Sequence, residues 1–473
     1  MSRGLKRTVF LIVAVAVVAG VVLAARWLGR SPAESGATGA SPSSPDVTAV
    51  SPVVLWNQMF VGNSEQEFNG VAVFPDSGVV AVGETYSASG DLPMVSAAGV
   101  DSLATAPDAA VARFAPDGGI MWARAYGGNG KDYFSSVAVG ADGSIFVVGW
   151  TGSTDGDFPV TRGDPPGSDS NAVIAKLTPL GDIVWEKTFG GRVVSFESVA
   201  WSPDGGVVVA GFTSGLNNDF PVTGASSGSW YGLLVKFSDD GVLEWWKTVD
   251  EVEGSLSSVV VAANGDIVAV GSTAQNSSHS DGGYGDGDAM VARFSGGGQL
   301  IRVNLYGGSG EDVFNSVVMA TDGGIVAGGF TESTDGDFPM THVPAGSRDG
   351  VVAHVGADGA LIWGNTYGGN YGTTLYGLAP TPDGNVVAVG WMWGPFWGTA
   401  SKQFGGAIKI SNTGEVMWMT GLGGDVSFSF NAVAVTPTGA EVIAGSQWVP
   451  NDSPSDSSST DGIVGALIVA MAN

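Results

Sequence analysis

From residue 53 onward, apolar runs of about seven residues alternate with short turns rich in Gly, Asp, Asn and Pro. The runs are rich in Val, Ala, Ile and aromatic residues, a composition typical of β-strands. Four kinds of run follow one another in a fixed order, and the set returns about every 60 residues. This pattern predicts an all-β protein assembled from repeated four-stranded units.

We name the four predicted strands of each repeat A to D. Strand A starts at an apolar anchor, strand B has the form IVAVG, strand C resembles DAAVARF, and strand D carries a Trp and often ends in Tyr/Phe-Gly-Gly. Short Asp-Gly and Asn-Gly turns link A to B and C to D, as expected for hairpins. The anchors of the seven A strands are Phe68, Phe134, Phe196, Leu256, Phe314, Leu375 and Phe430.

The two ends of the repeat region complement each other. The region begins with a D strand at 53–60 and ends with a C strand at 465–471. One blade would then combine the last A, B and C strands with the first D strand, which closes a ring and removes the open sheet edge. We therefore predict a seven-bladed β-propeller with four-stranded blades over residues 53–473. The alternative, a linear solenoid, predicts capping repeats and no complementary ends.

The repeats are preceded by a different kind of sequence. Residues 8–25 are apolar and uncharged, long enough for one hydrophobic helix across a bilayer. Basic residues flank this run, more of them before it than after it, which predicts an extracytoplasmic location for everything that follows. Residues 1–30 fit a retained signal anchor or a cleaved signal peptide, and both readings stay open. Residues 31–52 read as a flexible linker rich in Ser, Pro and Gly.

The amino-acid composition excludes one class of partner and several kinds of catalytic and metal site. The chain holds 46 acidic and 19 basic residues, so its surface repels phosphate backbones, and a nucleic acid is excluded as a partner. The absence of Cys removes disulfides, thiol nucleophiles and Cys-ligated zinc. The three His residues are not spaced as a metal-binding pair, and no nucleophile elbow precedes a helix. No catalytic residue is therefore identified.

Residues 126–159 read YGGNGKDYFSSVAVGADGSIFVVGWTGSTDGDFP and resemble the SBBP family of bacterial β-propeller repeats. Residues 306–339 match nearly as well, whereas Leu256 replaces Phe in another copy and the last two repeats lack Asp-Phe-Pro. The resemblance covers almost everything after residue 52. It implies a surface or secreted bacterial protein, and it implies no catalytic residues.

A Ser-Thr-Asp-Gly-Asp-Phe-Pro motif occurs at 153–159 and 333–339, in the predicted loops between strands B and C. Closely spaced carboxylates on a sharply turning loop suit calcium, the one cofactor that the sequence suggests. In the alternative reading, the Asp residues cap turns and Phe-Pro plugs the junction between blades. The calcium hypothesis names Asp132, Asp155, Asp157, Asp219, Asp312, Asp335 and Asp337.

Aromatic residues also gather in the predicted B–C loops, which lie on one face and include 150–170, 391–404 and 446–460. Such residues stack on sugar rings or anchor a protein partner, although they equally serve to pack against neighbouring blades. The binding hypothesis names Trp150, Trp391, Trp393, Phe396, Trp397 and Trp448.

Three functions remain open on the sequence. The first is an exported or membrane-anchored binding or adhesion scaffold for a surface glycan or protein partner. The second is a secreted carbohydrate-active enzyme that uses acidic residues of the propeller funnel, although nothing in the sequence selects a carboxylate pair. The third is a calcium-stabilised structural protein of the envelope. The absence of a recognisable catalytic constellation favours the first.

Overall fold

A computed structural model describes most of the repeat region. The described residues are 52–94, 106–160, 171–191, 193–216, 218–226, 228–274, 287–340, 348–368, 372–393, 403–422, 427–449 and 463–472. The predicted hydrophobic helix and the linker before residue 52 lie outside them. Every regular element within the described ranges is a β-strand. These ranges contain no helix that could serve as a membrane span.

The four predicted strand types recur along the chain. The A strands are β2 (Gln66–Val73), β6 (Asp132–Val139), β10 (Val194–Trp201), the second half of β13 (Leu243–Val261), β17 (Asp312–Met319), β21 (Thr373–Pro380) and β25 (Ser427–Val435). The B strands are β3 (Val79–Thr85), β7 (Ile145–Thr151), β11 (Val207–Thr213), β14 (Ile267–Thr273), β18 (Ile325–Thr331), β22 (Val386–Trp393) and β26 (Glu441–Val449).

The other two types complete the units. The C strands are β4 (Asp108–Phe114), β8 (Asn171–Leu177), β12 (Tyr231–Phe237), β15 (Ala289–Phe294), β19 (Asp349–Val355), β23 (Gln403–Ile410) and β27 (Ile463–Ala472). The D strands are β1 (Val53–Phe60), β5 (Ile120–Tyr126), β9 (Ile183–Phe189), the first half of β13, β16 (Leu300–Tyr306), β20 (Leu361–Tyr367) and β24 (Val416–Leu422).

The strands form antiparallel sheets in the order A–B–C–D, a propeller-like all-β fold. Five sheets have four strands, and a sixth has seven because β13 pairs with β12 along its first half and with β14 along its second. The sequence predicts a break between strands D and A at this point, and that prediction is wrong. The Gly-Gly that follows strand D in most repeats is absent after Val249, so the backbone stays extended.

The first strand of the repeat region completes the last sheet. Strand β1 pairs antiparallel with β27, from Val53 opposite Ala472 to Phe60 opposite Ala466, and the sheet continues through β26 to β25. The D strand from the beginning of the region thus joins A, B and C strands from its end. Each A strand contacts the A strands of two other repeats. The last A strand, β25, contacts the first, β2.

The core lies between neighbouring sheets. All seven apolar anchors are buried, and none is more than 1% exposed to solvent. Four D-strand Trp residues donate from their indole nitrogens to a C–D turn of the next repeat. These bonds run from Trp56 to Pro116 O (3.2 Å), Trp122 to Pro179 O (3.1 Å), Trp185 to Asp239 O (2.9 Å) and Trp363 to Asn412 O (3.1 Å).

Each A strand is irregular at one point. Its pairing with strand B shifts by one residue directly after the apolar anchor, so the next residue is a β-bulge. The recurring Gly of strand B lies opposite the anchor, and a Cβ at Gly83 would sit 1.9 Å from Glu67 O. Only glycine tolerates this close approach, which explains why every B strand carries one at this position.

Candidate functional site

The seven A strands converge on one cavity of about 450 Å³. Its lining includes the bulged residue of every A strand, and all seven of these residues are polar although each follows a buried apolar anchor. A bulge re-aims a side chain that regular alternation would place elsewhere. We call this set the bulge ring: Asn69, Ser135, Glu197, Ser257, Asn315, Tyr376 and Asn431.

Hydrogen bonds tie the bulge ring to neighbouring A strands. Four side chains donate to the carbonyl oxygen of another repeat's apolar anchor: Asn69 to Phe134 (3.3 Å), Ser135 to Phe196 (3.2 Å), Asn315 to Leu375 (2.9 Å) and Asn431 to Phe68 (3.1 Å). The last of these joins the final A strand to the first. These four ring side chains are therefore held by the scaffold that carries them, which preorganises this part of the cavity.

A second set of bonds lies one residue further along the A strands. The hydroxyl oxygens of four Ser residues accept backbone N–H groups from the A strand of another repeat: Ser136 from Val199 (3.3 Å), Ser198 from Val259 (3.2 Å), Ser258 from Val317 (3.3 Å) and Ser316 from Leu378 (3.0 Å). These bonds also join A strands of different repeats, and the four Ser residues line the cavity beside the bulge ring.

The lining is neutral with one exception. Among the described residues that line the cavity, Glu197 is the only charged group, and Tyr133 and Tyr376 are the aromatic ones. Burial raises the pKa of the Glu197 carboxyl, while a hydrogen bond from Ser195 acts in the opposite direction. Burial also raises the pKa of Tyr133, and the nearby Glu197 adds to that effect. The cavity can offer a ligand many hydrogen-bonding groups and one carboxylate.

A pair of acidic residues lies beside the apolar anchor of the first A strand, Phe68. Glu67 and Glu84 are opposite each other on β2 and β3. Burial raises the pKa of Glu84 to about 7, and the neighbouring carboxylates of Glu67 and Glu65 contribute. The Glu67 carboxylate accepts hydrogen bonds from Asn431 (2.7 Å) and Ser446 (3.1 Å). A ring member thus links this acidic pair to the cavity.

Two of the predicted aromatic binding residues lie at one equivalent position. Trp150 and Trp391 each follow the recurring Gly of strand B, as Phe212 and Phe330 do in two other repeats. The Trp150 ring meets the cavity-lining Tyr133 edge to face, at 4.8 Å between ring centroids. Trp150 is therefore next to the cavity rather than remote from it.

The predicted loop location of the aromatic residues is wrong for four of them. Trp150 and Trp391 lie within β7 and β22, Trp393 pairs with Gln403, and Trp448 pairs with Ser427 and Val464. The C strands β23 and β27 begin early enough to extend the ladder over these residues. Phe396 and Trp397 lie outside the described residues. A binding role for the six remains a prediction.

The Asp residue before Phe-Pro holds two loops together. The Asp157 carboxylate accepts the backbone N–H of Gly127 (3.0 Å), and Asp337 accepts that of Gly307 (3.0 Å). The related residues Asp219 and Asp91 do the same for Gly190 (2.8 Å) and Val61 (3.1 Å). In each case the donor directly follows strand D. We call this contact the loop clasp, and the adjacent Phe158 and Phe338 are buried in the junction between sheets.

The remaining carboxylates of the calcium hypothesis also accept hydrogen bonds. Asp155 accepts from the backbone N–H of Asn129 (2.8 Å), and Asp335 from that of Ser309 (2.7 Å). Asp132 and Asp312 are buried and accept from Ser153 (2.6 Å) and Ser333 (2.7 Å).

Burial changes the pKa of the Asp132 and Asp312 carboxyls. It raises the pKa of the Asp132 carboxyl, and it raises that of Asp312 to about 6. No group of three or more acidic or His side chains in the described part of the chain is arranged to hold a metal ion. The contacts are those of turn capping, and calcium binding stays a prediction.

A second cavity, of about 520 Å³, lies where the A strands end. Its lining is mainly apolar and includes Val73, Val139, Trp201, Pro380 and Val435. Both ends of the repeat region reach the same face, because Val53 pairs with Ala472 at the start of a D strand.

Sequence reasoning missed the bulge ring, although a signal was present. A polar residue follows the apolar anchor in all seven repeats, and a small residue follows the polar one in all seven. Two successive polar or small residues after an apolar anchor interrupt the strict alternation of a strand, as a β-bulge does.

No protein-family model matches the chain, and no curated protein matches it. Among solved structures, it is similar to a protein of unknown function from Dyadobacter fermentans, with 12% identity, a TM-score of 0.42, and coverage of 90% of this chain and 100% of that one. A similarity of this size carries no argument about fold or function.

Proposed function

We propose that the repeats form a closed seven-bladed β-propeller of the SBBP type. Seven A strands line one cavity, and their contacts lead from β2 through the other A strands and back to β2. The Asn431 bond to Phe68 O and the pairing of β1 with β27 join the two ends of the series. The seven-stranded sheet then counts as two blades that share the continuous strand β13.

We infer that this propeller is a binding scaffold outside the cytoplasm, anchored or exported by residues 1–30, and that its ligand is a glycan segment. The bulge ring is the observation that carries this proposal, because seven repeats direct polar side chains into one cavity. Amide and hydroxyl groups match the hydroxyls of a sugar, and tyrosine rings suit its apolar faces. Glycoside hydrolysis uses two carboxylates, whereas Glu197 alone supplies one from the described lining.

A glycan array tests this function. The full chain, purified in mild detergent and fluorescently labelled, is compared with Ser257→Trp, which fills the cavity from the bulge ring. Val242→Trp is the matched control, because Val242 is 60% exposed on a C–D turn. We expect a class of glycans that the wild type and the control retain and that Ser257→Trp binds at least tenfold more weakly. Equal binding by all three proteins, or no glycan bound by the wild type, would contradict the proposal.

A further inference from the structure

The cavity and its acidic neighbours lack balancing positive charge. Glu197 faces the cavity, and no Lys, Arg or His lies among the described residues that line it. The nearby Glu67 and Glu84 oppose each other across two strands. Lys131 lowers the pKa of Glu84, but the carboxylates of Glu67 and Glu65 raise it by more. A cleft lined by one sign of charge concentrates ligands of the other sign.

An Arg that influences one bulge-ring residue is already paired with carboxylates. The charge of Arg348 lowers the pKa of Tyr376 in the bulge ring. Arg348 forms ion pairs with Glu332 at 2.6 Å and with Glu311 at 3.2 Å. Its guanidinium also lies 4.1 Å from the centre of the Phe330 ring. One cation shared by two carboxylates leaves the local sum negative, so Arg348 does not balance Glu197.

The geometry around Glu197 suits a compact cation. The bulge directs this carboxylate into the cavity, where Tyr133 lies on the preceding A strand and Tyr376 lines the same cavity from β21. A buried carboxylate is costly unless a cation pairs with it, and aromatic rings attract ammonium groups. A metal ion would ask for more acidic or His ligands than the described residues bring together.

We propose that the cavity binds its ligand through a primary ammonium group, with Glu197 as the counter-ion and the amides and hydroxyls of the bulge ring around the rest of the ligand. The ligand class is a glycan that contains amino sugars with free amines. This inference rests on the proposed function, since it specifies which glycan the cavity takes.

Isothermal titration calorimetry tests the inference on the full chain in mild detergent. The two probes are a β-1,4-linked glucosamine tetramer and its N-acetylated counterpart, which keeps the length and the hydroxyls but lacks the ammonium groups. We expect the wild type to bind the free amine at least tenfold more tightly. Glu197→Gln keeps the size of the side chain and removes its charge, so it should abolish this preference.

The matched control is Glu244→Gln, which removes an exposed carboxylate from strand β13 and should leave both affinities unchanged. Thermal midpoints of the variants exclude unfolding as the cause of a loss. Equal binding of both tetramers, or a preference that survives Glu197→Gln, would overturn the role of Glu197 and leave the cavity as a glycan site. If neither tetramer binds, the ammonium proposal fails, and the glycan array still decides the proposed function.

Discussion

At the scale of single residues, a basic side chain near the end of strand C is the least expected feature of the fold. It occupies the penultimate position in six repeats, within strands that are otherwise buried: Arg113, Lys176, Lys236, Arg293, His354 and Lys409. Lys236 is only 3% exposed, and its ammonium lies 2.6 Å from Asp204 in an A–B turn. Lys409 and Asp383 form the same contact at 3.1 Å.

These pairs lower the pKa of the turn carboxylates. Burial raises the pKa of Asp383, but hydrogen bonds from Thr381 and Lys409 outweigh it and hold the value at about 2. A carboxylate with a lowered pKa stabilises the fold above its unfolded-state pKa, and this contribution is lost as the pH falls through the folded-state value. The pairs thus stabilise the protein at neutral pH and weaken between about pH 4 and pH 2.

The two partners should respond differently to substitution. Asp204→Ala leaves the ammonium of Lys236 buried without its carboxylate, so we expect the free energy of unfolding to fall by about 2–4 kcal/mol. Lys236→Met leaves a carboxylate that is half exposed and can be solvated, so its cost should be below about 1 kcal/mol. The double variant should recover most of the loss. Denaturant unfolding measures all three, and Asp204→Ala as mild as Lys236→Met would contradict the argument.

At the scale of elements, the loop clasp explains why Asp precedes Phe-Pro in several repeats. The carboxylate accepts a backbone N–H just after strand D, and the next residue fills the junction between two sheets. One short motif therefore joins a D–A loop to a B–C loop and plugs the gap beneath them. The same carboxylates were candidates for calcium, and their engagement by backbone groups favours the structural role.

Removal of one clasp should destabilise the protein without any dependence on calcium. Asp337→Ala leaves the exposed Gly307 N–H without its carboxylate, and we expect a loss of about 0.5–1.5 kcal/mol. Asp250→Ala, at an exposed position on β13, is the control and should change stability little. Thermal unfolding is measured in calcium and in EDTA, with equal midpoints expected in both. A calcium-dependent rise that Asp337→Ala abolishes would instead establish an ion site.

The elements also show what the sequence could predict. Turn chemistry and strand composition predict the A–D order and the partner of β1, because both depend on local residues. The continuous strand β13 and the bulges depend on pairing between strands, which local composition does not specify. The bulge ring escaped for this reason: regular alternation assigns Glu197 and Tyr376 to the wrong side of their strands. The strand location of Trp393 and Trp448 likewise depends on where the partner C strands begin.

At the scale of the whole molecule, the chain ends are held together by a strand rather than by a separate cap. Strand β1 covers the outer edge of β27, and Phe60 packs in one cluster with Ala466 and Ile468. Without β1, the last sheet would expose an open edge and this cluster would lose its cover. The N-terminal strand is thus a structural part of the C-terminal sheet.

A circular permutation tests this closure. Deletion of residues 1–60 should produce a protein that aggregates or unfolds at a much lower temperature, because the edge of β27 is then free. Transfer of residues 53–60 to a position after Asn473, through a short Gly-Ser turn, should restore the midpoint to within a few degrees. The reason is that Val53 already lies beside Ala472, so the moved strand would form a C–D hairpin like those of the other repeats.

The transferred segment with Phe60→Asp is the control, since it restores the length of the chain but not the packing. If the deletion variant were as stable as the full chain, β1 would not be the closing element. If the permuted protein failed as the deletion variant does, the last sheet would need the natural chain order to form.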